Sequence, residues 1–158
     1  MHLHTEIWLP LARDRVFAFF SEAENLQILT PNWLRFEILS PRPIRMQRGT
    51  LIDYRIRLHG IPLRWRTDIT TWDPPQMFVD TQVRGPYTTW VHTHRFSDRE
   101  GGTLVEDDVE FNLLGGRMVL WYVARDLRRI FAYRHEALRQ QLGLPAGVAP
   151  DVTIRARP

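Results

Sequence analysis

The 158-residue sequence contains no cysteine, which excludes a disulfide framework, a thiolate nucleophile and cysteine-ligated zinc or iron–sulfur centres. Lysine is absent too. All 21 Lys/Arg positions are arginine, so Schiff-base and P-loop chemistry are excluded along with the missing amine. The three serines, Ser21, Ser40 and Ser97, fall beside element ends and outside any Gly-x-Ser-x-Gly elbow, which argues against a serine hydrolase. No apolar run reaches the roughly 18 residues of a membrane span, and Met1-His2-Leu3-His4-Thr5-Glu6 has neither the basic nor the apolar part of a signal peptide. A cytoplasmic location without integral membrane association is therefore expected. A net charge of +3 with no nucleic-acid motif gives no ground for a nucleic-acid partner.

What is present reads as one domain with enough apolar mass for a core. His2 to Leu9 alternates as a first strand, with Leu3, Ile7 and Leu9 on one face. Ala12 to Phe20 and Glu24 to Leu29 take helical spacing and predict two short helices. Strand alternation follows in Leu34, Phe36 and Ile38, then in Ile52, Tyr54, Ile56 and Leu58, with a turn at His59-Gly60-Ile61-Pro62 leading to Leu63, Trp65, Thr67 and Ile69. Phe78 to Val83 is a further strand whose inward set is either Phe78, Asp80 and Gln82 or Val79, Thr81 and Val83. Tyr87 to Phe96 and Thr103 to Phe111 form a hairpin around Gly101-Gly102. It places Trp90, His92, His94 and Phe96 on one face, and Val105, Asp107 and Val109 on one face of the second strand. Arg117 to Leu142 is helical and roughly 39 Å long. Residues 145–158 lack periodicity and predict a disordered, dispensable tail.

This order predicts an α+β fold, a curved antiparallel sheet of about seven strands around a long C-terminal helix, with two short helices after the first strand. A bent sheet cannot pack flush along a straight helix. The gap is either an aromatic-lined cavity, bounded by Tyr54, Trp65, Trp90, Phe96 and Phe131, or a filled core of the same side chains. Pro10 followed by Val16-Phe17-Ala18-Phe19-Phe20, then Asn25-Leu26 and Thr30-Pro31, resembles the START-like SRPBCC superfamily. Trp72-Asp73-Pro74-Pro75, Phe78-Val79-Asp80, Gln82, Gly85-Pro86-Tyr87 and Trp90 to Phe96 resemble its polyketide cyclase/dehydrase-like bacterial ligand-binding members. The resemblance implies a helix-grip fold, a START-like ligand-binding domain over residues 1–144 and a hydrophobic cavity. It implies no particular reaction.

His92, His94 and Asp107 share an inward setting, and a buried acid requires a hydrogen-bonded or charged partner. They are the candidate catalytic acid–base group, read alternatively as a structural network or as ligand hydrogen bonders. Tyr54, Trp65, Asp80, Gln82, Trp90, Phe96, Phe131 and Arg134 are the candidate ligand-binding residues. Arg134 falls inside the apolar stripe of the long helix, which predicts an ion pair with Asp80 or Asp107 or contact with an acidic ligand head. A His-x-His strand pair with Asp107 or Asp80 is also a metal-ligand pattern, but the resembling families need no metal, and no metal or cofactor is expected.

Three functions follow from this reading. The first is a carrier, sensor or storage protein for a hydrophobic or aromatic small molecule. The second is a polyketide cyclase/dehydratase using the His/Asp pair in the same cavity. The third is a protein-interaction module with a vestigial cavity.

Overall fold

A computed structural model of the chain describes residues 1–148 and 150–156. Strand β1 (His2–Leu9) leads into helix α1 (Arg13–Phe20) and the single turn α2 (Asn25–Ile28). After a 3-10 turn at Asn32–Leu34 come β2 (Glu37–Ile38), β3 (Leu51–Leu58), β4 (Ile61–Asp73), β5 (Met77–Arg84), β6 (Thr89–Arg99) and β7 (Gly102–Asn112). The long helix α3 (Gly116–Gln141) and a last short strand β8 (Thr153–Arg155) complete the chain. The strands form one antiparallel sheet in the order β2-β3-β4-β5-β6-β7-β1-β8. Among the described residues no helix is long and apolar enough to cross a membrane.

Alternation dictates the sheet's faces. In β7, Val105, Asp107, Val109 and Phe111 are buried while Glu106, Asp108 and Glu110 are not, and β6 buries His92, His94 and Phe96. Two turns are specified by their residues: His59 and Gly60 join β3 to β4, and Glu100 and Gly101 join β6 to β7, all four with positive φ. The following Gly102 is needed for close approach, because a Cβ there would lie 2.3 Å from the Leu9 carbonyl oxygen. Register irregularities between β4 and β5, at Arg66/Thr67 and Ile69/Thr71, bend the sheet where it must curve around α3. That helix turns Leu127, Phe131 and Leu138 onto the sheet, against cores that include Leu3, Val109 and Phe111 at one end and Phe17, Phe78 and Phe96 at the other.

Two expectations are corrected. The strand anticipated from Leu34 shrinks to Glu37–Ile38, because Leu34 ends a 3-10 turn and Arg35 is left-handed at φ 44°. The tail after residue 145 is not structureless throughout. Thr153–Arg155 pairs antiparallel with His2–His4, placing Ile154 opposite Leu3, and so adds an eighth strand on the edge that β1 would otherwise expose. Val152 and Ile154 pack on the core around Leu3 and Val109. Ile154→Ala is therefore expected to lower stability by about 1–2 kcal/mol in urea unfolding. A dispensable tail would leave the midpoint unchanged.

Candidate functional site

Three neighbouring strands bring four ionisable side chains to one inward face. The register sets Asp80 of β5 opposite His92 of β6, and His94 of β6 opposite Asp107 of β7. This resolves the open question on β5: Phe78, Asp80 and Gln82 form the inward set, and Val83 is exposed. The bonds run across the diagonals as well as straight across. His92 Nε2 lies 2.8 Å from Asp107 Oδ1, and His94 Nε2 lies 3.2 Å from Asp80 Oδ2. His92 Nδ1 stands 3.5 Å from Asp80 Oδ2, and His94 Nδ1 is 2.6 Å from Asp107 Oδ1 but off the line of a hydrogen bond. The imidazole centroids lie 3.8 Å apart with the rings tilted by 37°, and Phe78 stacks on His94 at 4.2 Å.

An ionised carboxylate only accepts, so each short nitrogen–oxygen contact requires a proton on nitrogen. His92 meets this with one proton, on Nε2, donated to Asp107. His94 Nε2 donates to Asp80, while its Nδ1 lies beside Asp107 without a hydrogen bond, so a carboxylate at each nitrogen favours positive charge on this ring. The electrostatics agree. Burial and the neighbouring His94 charge lower the pKa of His92 against the pull of Asp107 and Asp80. Burial also opposes charge on His94, but Asp107 and the bond to Asp80 outweigh it and raise its pKa. Burial would raise both acids, yet His94 and Arg134 hold Asp107 well below the carboxylate range, and His92, His94 and Arg134 hold Asp80 below it.

Arg134 of α3 does not form the expected ion pair. Its guanidinium lies over the rings of Phe20 and Phe131, 5.8 and 5.9 Å from their centroids, and its buried Nε has no hydrogen-bond partner. The two imidazoles already occupy the carboxylates, which leaves the arginine facing open space. That space has two lobes of about 140 Å³ each. Tyr54, Trp90, His92 and Arg134 line both. Asp80 and His94 border only the first, and Trp65 and Phe131 only the second. Tyr54 stacks on Trp65, whose ring meets Trp90 edge-on, so one wall of the second lobe is continuously aromatic.

Asp107 lies behind the histidines, 3 % exposed, and borders neither lobe. Two anticipated ligand contacts are placed elsewhere. Gln82 spends its amide on the turn after β5, donating to the Tyr87 carbonyl at 2.7 Å and accepting from the Tyr87 N–H at 3.3 Å. Phe96 sits 5.1 Å from both Phe17 and Phe20 in the aromatic core, away from both lobes. Sequence reading missed Phe20, Met46 and Phe78 as walls of the first lobe and Tyr87 as a wall of the second. Of these, Tyr87 had a visible signal, because it adjoins the Gly85-Pro86 turn in the quoted motif.

The family described as polyketide cyclase / dehydrase and lipid transport matches residues 9–138. The chain belongs to this SRPBCC-type family. No curated protein matches it significantly. Among solved structures, protein Ms6760 from Mycobacterium smegmatis superposes with a TM-score of 0.68 at 12% identity, over 90% of each chain. Ginseng major latex-like protein 151 from Panax ginseng gives 0.62 at 10% identity, over 89% of this chain and 96% of the other. A nucleoside-diphosphate sugar epimerase from Corynebacterium glutamicum gives 0.63 at 23% identity, with 89% of this chain covering only 29% of that protein. At these identities the likeness shows the shared helix-grip architecture alone.

A further histidine sets the acid response. His135 on α3 is buried, its Nε2 3.5 Å from Thr5 Oγ1, and burial lowers its pKa from the ordinary 6.5 to about 4. Between those values the unfolded chain binds a proton that the folded chain refuses, so stability falls as pH drops. His92 acts in the same direction. The raised His94 contributes in full below 6.5, and the lowered Asp80 and Asp107 contribute in full above 3.8, so none of them changes in this window. Stability should fall by up to about 3 kcal/mol through His135 between pH 6.5 and 4. His135→Gln should flatten the decline in urea midpoints, and an equally steep decline in that variant would refute the assignment.

Proposed function

We propose that the protein binds an apolar or aromatic small molecule bearing one anionic group, as a carrier, sensor or storage protein. The observation that carries this reading is Arg134, a half-buried cation whose Nε is buried without a hydrogen-bond partner, where two apolar lobes meet. Burying such a group without a partner is costly, and a ligand carboxylate would supply the missing acceptor. Each lobe alone is below the roughly 300 Å³ at which small-molecule pockets begin. Even together the two lobes only approach that size, so the ligand is a small one that occupies both, with its polar group near Arg134 and its body against Tyr54, Trp65, Trp90 and Phe131. The two lobes also weigh against an interaction module with a vestigial cavity.

Binding should quench the fluorescence of Trp65 and Trp90 and raise the melting temperature. Arg134→Met should weaken binding of a fluorescent fatty acid by about tenfold or more, the size expected for losing a charged hydrogen bond, and leave the matching alcohol within about threefold. Equal loss for acid and alcohol would remove the anion from the proposal. No quenching by any apolar ligand would remove the proposal itself.

The hydrogen bond of His92 to Asp107, on a histidine that borders both lobes, favours a second reading as a cyclase or dehydratase. In that reading His92 moves protons at a polyketide-like carbonyl, held in its tautomer by Asp107. His92→Ala should then abolish turnover of such a compound while dye binding stays within a few-fold. Retained turnover would exclude His92 as the acid–base group.

A further inference from the structure

Each imidazole of the cluster is used from both sides. Asp107 Oδ1 lies 2.8 Å from His92 Nε2 and 2.6 Å from His94 Nδ1, so a single carboxylate oxygen faces one nitrogen of each ring. The opposite nitrogens, His92 Nδ1 and His94 Nε2, both face Asp80 Oδ2, at 3.5 and 3.2 Å. With His92 carrying its proton on Nε2 and His94 on Nδ1, the nitrogens left free both face the Asp80 carboxylate. One donor atom each from Asp80, His92 and His94 lies within 4.8 Å of the others. For a tetrahedral ion with bonds of about 2.1 Å, neighbouring donors stand about 3.4 Å apart, a value that falls between the two separations to Asp80.

We propose that Asp80, His92 and His94 form a binding site for a divalent cation of the zinc class, with Asp107 as the outer carboxylate that orients His92. The donor set suits such an ion, two neutral imidazoles and one carboxylate with no thiolate available anywhere in the chain. Metal-bound histidines typically give their second N–H to a carboxylate, the position Asp107 holds for His92. Phe78 packs on His94 and Phe131 on His92, which fixes the rings without an ion. All three donors border the first lobe, so the remaining coordination position opens into the cavity. When the ion enters, the proton on His94 Nε2 leaves to solvent and no other bond changes. The site does not depend on what fills the lobes.

The test uses the full chain stripped with a chelator and titrated with cobalt(II), with zinc(II) as competitor. The expected result is a visible cobalt d–d spectrum that saturates at one ion per chain and is abolished by zinc. Asp80→Asn and Asp107→Asn should each weaken cobalt binding by about ten- to a hundredfold. Glu6→Gln, in the surface group His4, Glu6 and Glu106, should leave the spectrum unchanged. In the unsubstituted protein, zinc should shift the imidazole nitrogen resonances of His92 and His94, a readout that needs no variant to fold. Absence of the cobalt spectrum, a spectrum lost in Glu6→Gln but kept in Asp80→Asn, or zinc shifts confined to His2 and His4 would each overturn the site. Dye binding to the stripped protein reports the apolar cavity separately, so failure of either reading is visible without the other.

Discussion

Two carboxylates buried in an aromatic interior must each find positive charge, and much of the arrangement around the cavity follows from that requirement. Asp107 and Asp80 project from β7 and β5 on either side of β6, so the strand between them has to supply the compensation. It does so with His92 and His94, and α3 adds Arg134 from the opposite wall. With His94 protonated and His92 neutral, two negative charges meet two positive ones. Buried ion clusters can often be replaced by apolar side chains at no loss of stability, so stability alone does not account for four ionisable groups here. Asp80, His92, His94 and Arg134 stand beside open space, and the buried Nε of Arg134 lacks a hydrogen-bond partner, which is the basis of the ligand-binding proposal.

That open space has a mechanical origin. The sheet, bent by the irregularities of β4 and β5, meets the straight helix at two places, midway along α3 where Leu127 and Phe131 join Leu3, Val109 and Phe111, and near its C-terminal end where Leu138 joins Phe17, Phe78 and Phe96. Beside these contacts a gap remains between the sheet and the helix. The side chains there are large and few, and they line the gap without filling it. Tyr54 and Trp90 project far enough to narrow it, and Arg134 reaches in from the helix, which is why the gap divides into two lobes.

Much of this was legible in the sequence, where one physical signal dominated. β3, β4, β6 and β7 alternate cleanly because one face is wet, and α3 carries a continuous apolar stripe, so sheet, helix and the inward His92, His94 and Asp107 could be read directly. β5 could not, because both of its faces mix polar and apolar residues; its inward carboxylate is tolerated only because the neighbouring strand neutralises it. The eighth strand was hidden for a related reason. Three residues are too short to show a period, and their order comes from pairing with β1. Gln82 and Phe96 share the right face but sit beyond the lobes, since facing inward fixes a direction and not a neighbour. For Arg134 the sequence left an ion pair or an acidic ligand head open, and the ion pair is not formed because the histidines reach the carboxylates first.

The charge balance gives the two occupants proposed for the cavity opposite proton couplings. An anionic ligand at Arg134 adds a negative charge to a cluster that is already neutral, and the group best placed to take up a compensating proton is His92, whose Nδ1 points at Asp80. A divalent cation adds positive charge and expels the proton of His94. By linkage, acidification favours the anion and disfavours the cation at the same set of side chains. If both were bound, Asp80, His92 and His94 would hold the ion and Arg134 the anion, with the ion supplying the positive charge that the His94 proton supplies without it. The buried carboxylates thus act as a fixed negative frame, and the identity of the positive charge that fills it decides what the cavity holds.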